Sequence, residues 1–374
     1  MKRLLTLLLA AAPAFAAFPN GYSYCKVVTT QHTMVSGPSD LTNYPLTVML
    51  TDVDLRTTAN GGLVNNSNGY DVGFYSNCSG SATALKWELE SYSPTTGAIV
   101  AHVLRPNMSR TADDTIGMFY GGGFNSFQST AAAVWDTGYK GVWHLGDSAN
   151  PFIDSTANAN SSNAGTYPAQ TAGKTGNAQS FNGSSQYIQI PNAASLQMTT
   201  AMTISAWINA TSWTAANEQT VLKKNGNYIL RHEASADPVG ADKLAFLWWD
   251  GTNIKLISTT NPSVGTWHHV VATVSSNAIT GLYVDGALAT TAVVQFVANA
   301  RVLTNVETLG AQSGGGEYFA GGIDELRISN FARSADWILT EYRNQSSPAS
   351  YIAVGPRLSA PAGNRVKHSV TNGV

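Results

Sequence analysis

The stretch Gly281-Leu282-Tyr283-Val284-Asp285-Gly286-Ala287-Leu288 decides the fold in eight residues. A run of strand-forming side chains ends on Asp285-Gly286, a pair that tolerates the positive φ of a tight turn, and a second run follows toward Val293. That is a hairpin. Asp250-Gly251 repeats the device between runs at 243–249 and 253–258. Outward from these two hairpins, short runs at 187–190, 202–208, 220–223, 228–232, 266–274, 307–309 and 322–329 read as strands broken by Gly, Asn, Asp and Ser. The first half repeats the pattern at 44–50, 71–75, 84–92, 99–103 and 115–120. There Leu85, Trp87 and Leu89 alternate with Lys86, Glu88 and Glu90, giving one buried and one wet face. Helical spacing occurs once, at 335–344, where Ser334 can cap and Trp337, Ile338, Glu341 and Tyr342 share a side whose apolar members dock on a sandwich. The expected fold is all-β: two β-sandwich domains with one short C-terminal helix.

Composition bounds the function. Of 374 residues 43% are hydrophobic and only 12% charged, with a net charge of -2. So weak a field neither steers nucleic acid nor holds anionic lipid, and both partners are disfavoured. Lys2 and Arg3 precede an apolar run from Leu4 to Ala12, and Ala14-Phe15-Ala16 supplies a small-x-small cleavage pattern. Residues 1–16 therefore read as a signal peptide cut before Ala17, placing the protein outside the cell, on its surface or in a periplasm. The alternative is an uncleaved anchor, although the run falls short of the ~20 residues of a membrane span. Cys25 and Cys78 are the only cysteines. In an oxidising compartment they bridge, closing a loop worth roughly 4 kcal/mol; two buried thiols are the alternative.

Four motifs occur in order: Ala206-Trp207-Ile208, Gly265-Thr266-Trp267-His268-His269-Val270, Leu282-Tyr283-Val284-Asp285-Gly286, and Gly321-Gly322-Ile323-Asp324-Glu325-Leu326-Arg327-Ile328-Ser329. Phe181-Asn182-Gly183 and Tyr187-Ile188-Gln189-Ile190 precede them. Together they resemble the laminin-G-like, concanavalin-type module, which implies a jelly-roll sandwich over 137–355. Tyr70-Asp71-Val72-Gly73-Phe74, Leu85-Lys86-Trp87-Glu88-Leu89-Glu90 and Gly141-Val142-Trp143-His144-Leu145 resemble a secreted bacterial module catalogued as domain of unknown function 2341, which implies an N-terminal β-domain over 17–136 and no activity. Residues 356–374 have few apolar anchors and are expected to be a disordered tail.

Because the concanavalin-type fold also carries glycoside hydrolases, paired carboxyls matter. Glu88 and Glu90 lie in the other domain on its wet face, and adjacent Asp324 and Glu325 should point to opposite faces. Of His268 and His269 only one can face the core, and His144 and His232 have no partner at a meaningful spacing. The reading is therefore not an enzyme. The resemblance implies a structural Ca2+ on Asp324 and Glu325, completed by Asp147, Asp154 and Asn182; the alternative has Asp324 and Glu325 capping turns or pairing with Arg327 and Arg333. For ligand binding, Trp213, Trp248 and Trp249 are the candidate aromatic faces, with Asn225, Asn227 and Asp250 nearby. Since Trp248 and Trp249 alternate, one ring must face outward, to stack on a sugar or merely to cover the hairpin. The leading function is non-catalytic recognition of extracellular glycan or a surface polymer. An adhesive module binding surface protein is second, and a glycoside hydrolase third.

Overall fold

The structure, a computed structural model, describes residues 17–214, 216–236, 241–249, 253–258, 261–275, 278–293 and 302–360. Six strands come first: β1 Tyr24–Thr30, β2 Leu41–Thr51, β3 Val72–Tyr75, β4 Trp87–Tyr92, β5 Ala98–Met108 and β6 Asp114–Tyr120. The second group opens with β7 Tyr139–Trp143, β8 Ala164–Thr166, β9 Ala169–Ala172, β10 Asn177–Asn182, β11 Tyr187–Ile190, β12 Ala201–Ala210, β13 Gln219–Lys224 and β14 Tyr228–His232. It continues with β15 Leu244–Trp249, β16 Asn253–Ser258, β17 His268–Ser275, β18 Ala278–Val284, β19 Ala287–Leu288, β20 Thr290–Val293, β21 Glu307–Leu309 and β22 Ala320–Ser329. Helices α1 Ala335–Ser346 and α2 Pro348–Tyr351 follow, and β23 Ile352–Ser359 is the last strand.

The all-β expectation holds. β23-β1-β6-β3 and β2-β5-β4 form the first sandwich. Two eight-stranded sheets form the second: β19-β18-β17-β12-β22-β10-β9 with β7 on β22, and β20-β16-β15-β14-β13-β21-β11-β8. Inward residues of the larger pair, among them Trp143, Ile204, Phe246, Trp248, Leu282 and Ile328, make one continuous core. The deciding hairpin turns at Asp285 (φ 51°) and Gly286 (φ 77°), the two positive values its turn type requires. The Asp285 carboxylate also accepts from the His269 amide at 3.0 Å and lies 2.7 Å from His268 Nδ1, tying two of the sequence motifs together.

The chain order of the domains differs from the expectation. The segment 356–359, read from sequence as the start of a disordered tail, belongs to β23, which pairs antiparallel with β1 from Tyr24↔Ser359 to Thr30↔Ile352. Backbone pairing supplies what the side chains lack, so a polar stretch is ordered without apolar anchors. Trp337, Tyr351 and Ile352 enter the first sandwich's core. The second sandwich is thus inserted into the first, and the C-terminal boundary at 355 moves back to the end of β22. Residues 1–16, expected to be a signal peptide, and 361–374, expected to be the rest of a disordered tail, lie outside the described residues. Cys25 and Cys78 form a disulfide, as expected.

Helix α1 runs two residues beyond the expected end, and Ser334 Oγ accepts from the Trp337 amide at 3.2 Å. It lies between the sandwiches rather than on one. Trp337 joins the first core, whereas Ile338 packs with Val271 and Tyr283 of the second.

Candidate functional site

One end of the second sandwich carries an open depression of about 520 Å³. The β12–β13 loop lines it with Thr211, Ser212, Thr214, Asn217 and Glu218; the loop before β22 adds Glu317 and Tyr318, and Asn182 closes the rim. Glycines at 314–316 all have positive φ, as does Glu317 (φ 53°), so this loop is a chain of left-handed turns that few other residue types tolerate. Glu317 is fixed from below: Lys223 Nζ donates to it at 2.6 Å, Thr220 Oγ1 at 2.7 Å and Arg231 at 3.2 Å. Burial disfavours its charge, but these donors outweigh burial and hold its pKa below the usual carboxylate range. Glu218 leans on the same Arg231 at 3.7 Å. Amide and hydroxyl groups, together with the Glu218 and Glu317 carboxylates, surround one half-buried phenol, a surface able to hydrogen-bond and stack.

The aromatic residues named from sequence fall elsewhere. Trp248 is 1% exposed in the core and is not a ligand contact, because alternation aims it, rather than Trp249, inward. Trp249 is half-buried. Trp213 stacks on His232 at 4.7 Å and donates to the Pro262 carbonyl at 2.7 Å, so it braces the loop that lines the depression. Asn225 is exposed, and its carbonyl accepts from Asn305. Asn227 is buried, with its amide reaching the Met198 carbonyl at 3.4 Å. Asp250 lies outside the described residues. No sequence motif pointed to Tyr318.

The residues assigned to Ca2+ do not converge as a set. Asn182 turns its carboxamide back on the amides of Ser184 and Ser185 at 3.0 Å, at the rim of the depression. Asp147 accepts from the Ile153 amide at 3.0 Å. Asp154 organises its own loop, accepting from the amides of Val142, Thr156 and Asn160 at 2.7–2.9 Å. Asp324 and Glu325 are buried on the far side, where the two sandwiches meet. A hard-cation site built from these five residues does not fit the structure.

The seam itself was misread. Regular alternation would send Asp324 and Glu325 to opposite faces, but a bulge intervenes: Ser205 opposes Arg327 and Trp207 opposes Asp324, leaving Leu326 and Glu325 against Ala206. Glu325 takes φ 51°, and Ile323, Leu326 and Ile328 all reach the core while Asp324, Glu325 and Arg327 face the seam. Glu88, assigned to solvent, is buried there too, and the Glu90 side chain is 2% exposed. The wet face of the 84–92 strand is wet only until the second sandwich covers it. Burial disfavours the Glu88 charge, yet the His144 imidazolium outweighs it and lowers that pKa to about 2. Among the described residues, Glu90, His102, His144 and Glu325 form the group whose nitrogen and oxygen atoms could hold a metal ion.

Residues 182–339 match the family described as the concanavalin A-like lectin/glucanases superfamily. No curated protein matches the chain. Among solved structures, the binding domain of Paraclostridial Mosquitocidal Protein 1 is similar at 14% identity and TM-score 0.44, over 55% of this chain and 52% of that one. Domain 4 of AbnA, a GH43 extracellular arabinanase from Geobacillus stearothermophilus solved with arabinotriose, is similar at 20% identity and TM-score 0.42, over 55% and 97%. The binding domain of botulinum neurotoxin serotype G gives 12% identity and TM-score 0.44, over 56% and 51%. The chain thus spans about half the length of these two binding domains.

Proposed function

We propose that this concanavalin-like chain is a secreted, non-catalytic binding protein whose second sandwich recognises an extracellular glycan or surface polymer. The observation that carries the reading is the depression at the loop end, where Tyr318 stands among Asn182, Thr214 and Asn217 on a rigid scaffold. A phenol face matches the C–H face of a pyranose, and amides and hydroxyls match its hydroxyl groups without a charge requirement. Hydrolysis would need one carboxyl held protonated beside one held ionised. In the depression Glu317 is held ionised by Lys223 and Arg231, whereas the carboxyls with strongly raised pKa, Asp324 and Glu307, are buried away from it. The disulfide fits an oxidising compartment, and among the described residues no helix is long and apolar enough to cross a membrane.

A glycan array probed with the purified chain tests this. Binding is expected, falling about tenfold in Tyr318→Ala and unchanged in Trp249→Ala. Binding confined to protein partners would instead favour an adhesive module. Release of reducing ends from a polysaccharide would make the protein a hydrolase.

A further inference from the structure

The first sandwich presents Glu90 and His102 to the seam and the second presents His144 and Glu325, each offering one ligand atom, all within 4.8 Å of one another. Their side chains are closed off: His102 is 0% exposed, Glu325 1%, Glu90 2% and His144 10%. His102 Nε2 lies 2.8 Å and His144 Nδ1 3.7 Å from the same Glu90 oxygen, so an imidazole nitrogen from each sandwich converges on one point. Glu325 contacts the same His144 Nδ1 directly.

Behind these four stands a supporting layer. The far nitrogen of His144, Nε2, lies 3.3 Å from the Glu88 carboxylate. Glu88 is in turn held by Trp135 Nε1 at 2.7 Å and Ser155 Oγ at 2.5 Å. The far nitrogen of His102, Nδ1, lies 3.3 Å from Thr47 Oγ1. Arg327 binds the second oxygen of Glu325 and is itself pinned by Glu341 at 2.6 Å. A carboxylate or hydroxyl behind each imidazole is the arrangement that orients histidines toward a metal.

Charge points the same way. Five carboxyls, those of Glu88, Glu90, Asp324, Glu325 and Glu341, crowd around one guanidinium, that of Arg327, and three imidazoles, those of His102, His144 and His269. Buried negative charge in excess needs a counter-ion or protons. Two oxygens remain without any hydrogen-bond partner, Glu90 Oε1 and Asp324 Oδ1, although both are buried.

We infer that Glu90, His102, His144 and Glu325 bind one first-row divalent cation, with zinc the best match to two imidazoles and two carboxylates. Imidazole donors select against calcium, and four protein donors in a closed seam make the site structural, with no position left open for a substrate. The ion would join the two sandwiches directly. This inference does not depend on the ligand assigned to the loop-end depression.

The untagged full chain, stripped with a chelator and exchanged into metal-free buffer, is titrated with Zn2+ and then desalted for elemental analysis. One zinc per chain is expected to be retained, with a rise in Tm that Ca2+ does not reproduce. Co2+ in its place should give visible ligand-field absorption showing nitrogen and oxygen donors. Glu90→Gln and His102→Gln are expected to weaken zinc by more than about tenfold, and Glu88→Gln, which touches no ion, by about tenfold through His144. Near-UV circular dichroism confirms that each variant is folded. Folded wild-type chain that retains no zinc and shows no shift in Tm would overturn the site. So would zinc held equally well by Glu90→Gln and His102→Gln.

Discussion

Single residues show where burial overrides composition. Glu307 on β21 is wholly buried, and burial raises its pKa to about 7, with Lys224 of β13 pulling the other way from 3.9 Å. Tyr228 of β14 donates to the same carboxyl, and Asp154 adds a small repulsion. A raised acid favours the fold fully below its ordinary pKa of 4.5, and that contribution drains away as pH climbs through about 7. The loss amounts to roughly 3 kcal/mol. Glu307→Gln cannot ionise, so its urea-denaturation stability should stay flatter than wild type across this window. A variant as steep as wild type would assign the pH dependence elsewhere. Sequence gave no hint of Glu307, because nothing local distinguishes a strand carboxyl that meets solvent from one roofed by a second sheet. Trp248 and Trp249 pose the same problem: alternation says that one ring points inward, and only the direction of the strand says which.

At the scale of elements, hairpins and motif strands were readable and bulges were not. Tyr228–His232, Asn253–Ser258 and Glu307–Leu309 sit where the pattern puts them, since turns and period-two burial are local. The bulge at Glu325 is not local. It exists because β22 must deliver Ile323 and Ile328 to one core while turning three polar groups toward the other sandwich. The strands β1 and β7 were likewise missed, their partners lying far away in sequence. Helix α1 was found, but its task was not. Asn344 accepts from the Thr47 amide at 2.8 Å and donates to the Thr47 carbonyl at 2.9 Å, closing a backbone gap in β2. Asn344→Ala strands both groups in a buried seam and is expected to cost about 2–4 kcal/mol by urea denaturation. Ser334→Ala, which removes only the N-cap, should cost about 1 kcal/mol. Equal costs would mean that α1 is held by its apolar face alone.

For the whole molecule the insertion has the largest consequence. Among the described residues, no member of the second sandwich's main core comes after Ile328, and only Ile338 packs on its outer face, whereas the first needs Trp337, Tyr351 and Ile352 together with the β23 ladder on β1. A chain ending at Ser329 therefore keeps the main core of the second sandwich, losing only the Ile338 contact with Val271 and Tyr283, and loses three core residues from the first. Losing a buried Trp, Tyr and Ile at about 2–5 kcal/mol each exceeds the 5–15 kcal/mol total of most domains or comes close to it. The Cys25–Cys78 disulfide constrains β1 near its start but cannot replace the missing contacts. Hydrogen exchange on the truncated chain should show amides of β1 and β6 losing protection while those of β12 and β17 keep theirs. Protected β1 amides would show that the first sandwich stands without the returning strand, and the two sandwiches would then be consecutive domains joined by a seam rather than one built into the other.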